Sequence, residues 1–310
     1  MGGKGLKITW RQLRLFFQLS RPLFLLGGIL LYALGAAIAA YLGFQIVASI
    51  YLLGQIIVTS IQLMTQYLNE YYDTTNDEEN ENRTPFTGGS GAIGPDKLSR
   101  DTALYSAAAT ITIAATASVV LLVDGETSIV SWLIILIAFA GAFFYSSPPL
   151  KLSTSGYGEL TTSFIVAGFV PALAFTLQTD ELHKLVIMST MPLIALHFAM
   201  MLAFELPDYA SDLKNNKRTL MIRAGWKTGM RLHDAAIAVA GVSLVMAYFN
   251  GLPPRVVLGS LIALPLALAQ LWQFERIRRG YPTRWLTLTL GAIGLFALTA
   301  YLTLVGFILS

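Results

Sequence analysis

The side chains in this chain most capable of chemistry are carboxylates spaced four apart. Asn69, Asp73 and Asp77 follow one another at that interval, and Asp208 and Asp212 repeat it later in the chain. Residues four apart share one face of an α-helix, so each set forms a stripe of oxygen ligands wherever the local chain is helical. Like charges at that spacing repel and weaken the helix unless a cation lies among them. Hard carboxylate and amide oxygens suit Mg²⁺ better than zinc or copper, and Mg²⁺ completes its shell with waters and phosphate oxygens. Two facing stripes therefore suit a diphosphate held between two Mg²⁺ ions. The run of Glu78, Glu79 and Glu81 just downstream reads instead as a solvated face.

Basic residues supply the complement. A departing diphosphate gains negative charge, and cations aimed at it act where electrostatic stabilisation counts most. The candidates are Arg83, Lys151, Lys214, Lys217 and Arg218. Arg21 is a further candidate, although it abuts an apolar run and snorkelling toward the interface explains it equally well. The glycines at 88, 89, 91 and 94 lack the lysine and strand context of a P-loop and read as a lid. His183, His197 and His233 are too scattered for a zinc site or a triad, and the methionines at 188, 191, 200 and 201 read as packing.

The elements that must position these groups follow from composition. Of 310 residues, 55% are hydrophobic and 13% charged, whereas a soluble domain carries about 25% charged residues. The mean hydropathy of +0.62 excludes an ordinary soluble fold and a disordered chain alike. There is no cysteine, hence no disulfide and no thiolate chemistry. A spanning helix needs about 20 apolar residues. Nine such runs occur, at 22–43, 46–69, 102–123, 129–148, 160–178, 185–206, 233–249, 255–274 and 286–309. The expectation is a single all-α, polytopic membrane domain over residues 1–310 with nine transmembrane helices. The first run is too long for a cleavable signal peptide.

Alternating the loops between the two sides of a membrane tests that count. With a cytoplasmic N-terminus, 19 of the 21 Lys and Arg residues fall on the cytoplasmic side, leaving only Lys184 and Arg255 outside. Basic residues mark the cytoplasmic loops of membrane proteins, and one missed or invented span would invert every later loop. The pI near 9.0 thus reports topology in a lipid bilayer and no nucleic-acid partner. Two long polar loops, 70–101 and 207–232, lie on the cytoplasmic side, and loops that long in a compact bundle are usually functional. The expected location is the inner (cytoplasmic) membrane, with the C-terminus on the opposite face.

Taken together, the two Asp motifs at the ends of apolar helices resemble the UbiA superfamily of intramembrane prenyltransferases, over essentially the whole chain. The family pattern Asn-x-x-x-Asp-x-x-x-Asp falls on Asn69, Asp73 and Asp77, and Asp-x-x-x-Asp falls on Asp208 and Asp212. The resemblance implies a helical bundle around a central cavity. It also implies Mg²⁺ ions bound by the Asp clusters, a polyprenyl diphosphate donor, and an aromatic acceptor that attacks the allylic carbon. A Tyr and a Lys that help hold the diphosphate correspond to Tyr145 and Lys151. Segments 85–90 (PFTGGS) and 217–225 (KRTLMIRAG) look most like the branch that prenylates 1,4-dihydroxy-2-naphthoate for menaquinone. The chain departs from that branch at Glu205 and Pro207, places often held by Asn and Arg, so 4-hydroxybenzoate, homogentisate and a glycerol-based lipid stay open as acceptors. A cation-coupled transporter is the rival class. It would place charges near the middle of its spans, whereas these spans carry carboxylates at their inner ends.

Overall fold

The computed structural model describes residues 9–78, 82, 84–124 and 127–310, with the side chains of 74–78 and 124 outside that description. The side chain of Asp77 and all of Arg83 therefore lie outside the described residues. Within them the regular secondary structure is helical, apart from a single bridge between Ile93 and Leu98. In order, the helices are α1 (Trp10–Leu19), α2 (Pro22–Tyr41), α3 (Ala48–Glu78), α4 (Arg100–Asp124) and α5 (Ile129–Ser146). Then follow α6 (Gly158–Ser163), α7 (Val170–Thr179), α8 (Lys184–Lys214), α9 (Leu220–Ala224) and α10 (Trp226–Phe249). The chain closes with α11 (Pro254–Leu261), α12 (Leu264–Arg278) and α13 (Trp285–Ile308).

Among the described residues eight stretches are long and apolar enough to cross a membrane, and α11 with α12, bent by 41° at their junction, bring the number to nine when the pair is taken as one span. The protein is a multi-pass membrane protein. Two of the spans are interrupted, each near a proline. Pro265 opens α12 at the bend, where it removes a backbone donor. A π-helical turn at Phe164–Phe169 joins α6 to α7 just before Pro171.

The longest helices are the ones that matter for the site. Both α3 and α8 have 31 residues, which at 1.5 Å per residue is about 46 Å, well beyond the ~30 Å apolar core of a bilayer. Their ends project from it as ordered helix and carry the two Asp stripes with them. Segment 207–232, expected as a single polar loop, is thus largely helical, since α8 runs to Lys214 and α10 begins at Trp226. Hydropathy locates the edge of the bilayer, whereas a helix ends only where its backbone hydrogen bonds do.

Burial sets the layout. Within their apolar windows α8 is 72% buried and the α6–α7 span 61%, against 28% for α4 and for α10, so α8 is the most enclosed span, while α10 packs on α8 and α4 on α3 from the outside. Close approach needs small residues where water supplies no drive for helices to associate. Gly35 on α2 illustrates this, because a Cβ there would collide with the Pro171 carbonyl of α7.

Helix α1 is too short to register as a span. Thr9 and Gln12 form a reciprocal capping box at its start, with Gln12 N–H donating to Thr9 Oγ1 at 3.3 Å and Thr9 N–H to Gln12 Oε1 at 2.9 Å. Trp10, Leu13, Phe16 and Phe17 are exposed. Such a helix suits the bilayer interface.

Candidate active site

Asn216 shapes the site before any side chain does. It takes the left-handed conformation (φ 55°) at the end of α8, which Asn tolerates better than most residues. The Lys217 N–H then donates to the Asp212 carbonyl at 2.9 Å and the Asn216 N–H to the Leu213 carbonyl at 3.4 Å. This paired closure is a Schellman turn, and it reverses the chain over the last turn of the helix. The reversal carries the Lys217 ammonium back between the two stripes, 3.3 Å from Asp73 Oδ2 on α3 and 3.9 Å from Asp212 Oδ1 on α8.

Both carboxylates are buried. Two anions facing each other away from water repel strongly, so a cation between them is an electrostatic requirement of this packing. Asp208, half-buried one turn earlier on α8, adds its charge to the field at Asp212. Asn69 is held through its Oδ1, which accepts from Ser146 Oγ of α5 at 3.2 Å. The neighbouring Tyr145 is half-buried and lies in the combined field of Lys217, Glu159, Asp73 and Glu205. Asn69, Asp73, Asp212, Lys217 and Tyr145 are thus gathered from three helices and one turn.

The remaining candidates take other places. Lys151 has its Nζ 5.9 Å from the centre of the Tyr72 ring, one residue before Asp73, and so borders the site. Lys214 and Arg218 are exposed at the rim on either side of the Schellman turn. Arg21 points elsewhere. Its guanidinium lies 3.1 Å from the buried Glu70 Oε1 on α3. The same carboxylate accepts from the Ser90 N–H at 2.5 Å and from Ser90 Oγ at 2.6 Å. The glycine-rich segment is anchored there, with Gln18 Nε2 donating to the Ser90 carbonyl at 2.6 Å as well.

Three buried glutamates thus shape this end of the bundle: Glu70, Glu159 and Glu205. Glu159 has no part in either motif. Its signal in the sequence is isolation, a lone charge at the start of an apolar run. Glu70 is masked by the more conspicuous Asn69–Asp77 stripe beside it.

The donor set fits Mg²⁺. Among the described residues no three acidic or histidine side chains converge closely enough to form a cage by themselves. Mg²⁺ does not require one, since it binds through one or two carboxylates and fills its shell with water and phosphate oxygens. A protein cation already lies between Asp73 and Asp212, so the sign of the field there is correct for a metal bound to an anionic ligand.

Helices α3 and α8 thus bring the two motif-bearing ends together at one end of a bundle of apolar spans, the architecture of a polytopic membrane protein with a polar site at its rim. The model of the UbiA prenyltransferase family matches residues 28–286, and this chain belongs to that family and is a prenyltransferase. It is similar to the 1,4-dihydroxy-2-naphthoate octaprenyltransferase of Bacillus subtilis (strain 168), with 26% identity over 241 residues, covering 77% of this chain and 75% of the relative. Solved structures share the fold at low identity. A UbiA homolog from Archaeoglobus fulgidus bound to GPP and Mg²⁺ superposes with a TM-score of 0.61 at 13% identity, over 93% of this chain and 99% of that one. A digeranylgeranylglyceryl phosphate synthase gives 0.66 at 14% identity, over 96% and 99%.

Proposed function

We propose that this protein transfers a polyprenyl group from a polyprenyl diphosphate to an aromatic acceptor, 1,4-dihydroxy-2-naphthoate, at the cytoplasmic face of the inner membrane. The observation that carries this reading is the meeting of Asp73 and Asp212 across the Lys217 ammonium, at the end of an apolar bundle. The naphthoate acceptor is favoured by the similarity to the Bacillus subtilis enzyme. The basic residues concentrated in the loops at this end support a cytoplasmic site.

In the mechanism, Asn69, Asp73 and Asp77 on one helix and Asp208 and Asp212 on the other would hold Mg²⁺. The metal, when bound, neutralises diphosphate charge and so favours cleavage of the allylic C–O bond. Lys217, Lys151 and, on its charge alone, Arg83 bind diphosphate oxygens, Lys214 and Arg218 extend the basic rim, and the Tyr145 hydroxyl donates toward the same anion. The allylic carbon sits below them among apolar side chains, where water is excluded and the carbocation survives long enough to react. The electron-rich ring of the acceptor then forms the new C–C bond. Aromaticity returns as that carbon loses its proton, or its carboxylate as CO₂, and the bonding pair goes back to the ring.

The test is incubation of purified protein with Mg²⁺, a polyprenyl diphosphate and a panel of acceptors, with products read by mass. The panel holds 1,4-dihydroxy-2-naphthoate, 4-hydroxybenzoate, homogentisate and a glycerol-phosphate lipid. The expected result is a prenylated naphthoate and released diphosphate, both abolished by excess chelator. No adduct with any acceptor and no released diphosphate would refute the proposed reaction, and turnover confined to another acceptor would reassign the substrate.

A further inference from the structure

Glu159 on α6 and Glu205 on α8 are buried, at 3% and 8% exposure, and neither belongs to the two Asp motifs. Each spends one oxygen on the same short piece of backbone. Glu159 Oε1 accepts from the Leu220 N–H at 3.1 Å, and Glu205 Oε2 accepts from the Met221 N–H at 2.8 Å. Their other oxygens, Glu159 Oε2 and Glu205 Oε1, are buried with no donor among the described residues. The two carboxyl groups lie within hydrogen-bonding reach of each other. A donor shared between them would satisfy both oxygens.

The backbone they hold begins three residues after Lys217. On the near side Lys217 is fixed by the Schellman turn to Asp212. On the far side the chain is free to swing unless residues 219–221 are held. Leu220 and Met221 open α9, a helix of five residues, which is too short to persist on its own. Glu159 also joins two parts of the site. It follows the segment after Lys151, and that segment packs on the strip after Lys217, since a Cβ at Gly156 would meet Arg223 and the Arg218 carbonyl. Arg223 stacks on Tyr157 at 5.7 Å.

We infer that Glu159 and Glu205 are positioning residues for the diphosphate site, clamping the Leu220 and Met221 N–H groups so that Lys217 stays between Asp73 and Asp212. The inference rests on the proposed function, because it assigns Lys217 to the polyprenyl diphosphate. It gives Glu205, where the chain departs from the naphthoate branch, a partner in Glu159 and a task.

The test compares Glu159→Ala, Glu205→Ala, Glu159→Gln, Glu205→Gln, Lys217→Ala and the double variant Glu159→Ala/Lys217→Ala. Gln keeps an acceptor oxygen for the backbone N–H and adds a donor for the partner carboxylate, so either Gln variant retains most of the wild-type kcat/KM. Each Ala variant loses about tenfold in kcat/KM for the polyprenyl diphosphate, with the KM for the acceptor unmoved, and the double variant is no worse than Lys217→Ala. Hydrogen exchange supplies a readout independent of turnover: the Leu220 and Met221 amides are protected in wild type and in the Gln variants, and lose protection in the Ala variants. Wild-type turnover together with full donor kcat/KM in both Ala variants overturns the clamp alone. So do multiplying losses in the double variant, failure of Gln to rescue, or rapid exchange of the two amides in folded wild type. Absence of prenyl transfer by the wild-type protein overturns the proposed function, and this role with it.

Discussion

The Lys217 ammonium and the Asp73 carboxylate, 144 residues apart in the chain, lie 3.3 Å from each other. Removing the cation leaves Asp73 and Asp212 buried and facing each other, which is more costly than losing a surface pair. Lys217→Met is expected to lower donor kcat/KM by about 10²-fold. In chelator it should also lower the thermal midpoint by roughly 5 °C, and Mg²⁺ should restore part of that loss. Thermal unfolding with and without Mg²⁺ checks this, and a midpoint equal to wild type in chelator would show that the pair is not stabilising.

The carboxylates themselves come next. Asp73→Asn and Asp212→Asn keep size and hydrogen-bonding shape while removing charge. Turnover should fall by at least about 10³-fold, with helical content and elution volume unchanged. Full activity in either variant would sink the two-stripe mechanism.

Metal dependence has its own signature. Excess chelator should abolish turnover, and Mg²⁺ should restore it while Zn²⁺ does not, because the donors are hard oxygens with no thiolate and no histidine among them. Titration of activity against each metal in chelator-treated protein is the measurement.

Arg21 separates a structural role from a binding one. Its guanidinium serves Glu70, which also holds Ser90 of the glycine-rich segment. Arg21→Ala leaves Glu70 buried with one charged partner fewer, at an expected cost of about 3 kcal/mol, read as a lower thermal midpoint with donor KM within about twofold of wild type. A raised donor KM at unchanged stability would instead place Arg21 against the substrate.

Much of this arrangement is legible one residue at a time. Eight of the nine expected spans follow from hydropathy, and the ninth, at 255–274, falls on the bent α11–α12 pair, whose 41° break a hydropathy run does not register. The stripes Asn69–Asp77 and Asp208–Asp212 follow from spacing, and the helices do extend through them. Helix α1 escapes a search for 20-residue runs because an interfacial helix needs only one apolar face. Glu159 escapes a search for motifs because its partner, Glu205, comes from a different helix.

By itself, the sequence determined the all-helical membrane class, the positions of the apolar stretches and the two faces of possible ligands. These are local properties, since hydropathy and a four-residue period act over one or two dozen residues of chain. Only the tertiary structure decided which cation enters the gap between the stripes, that Arg21 turns to Glu70, and that Glu159 reaches the backbone of Leu220, 61 residues on. Those outcomes depend on how α3, α6 and α8 pack against one another. The energy that selects them, paired charges out of water, exists only once the helices have met.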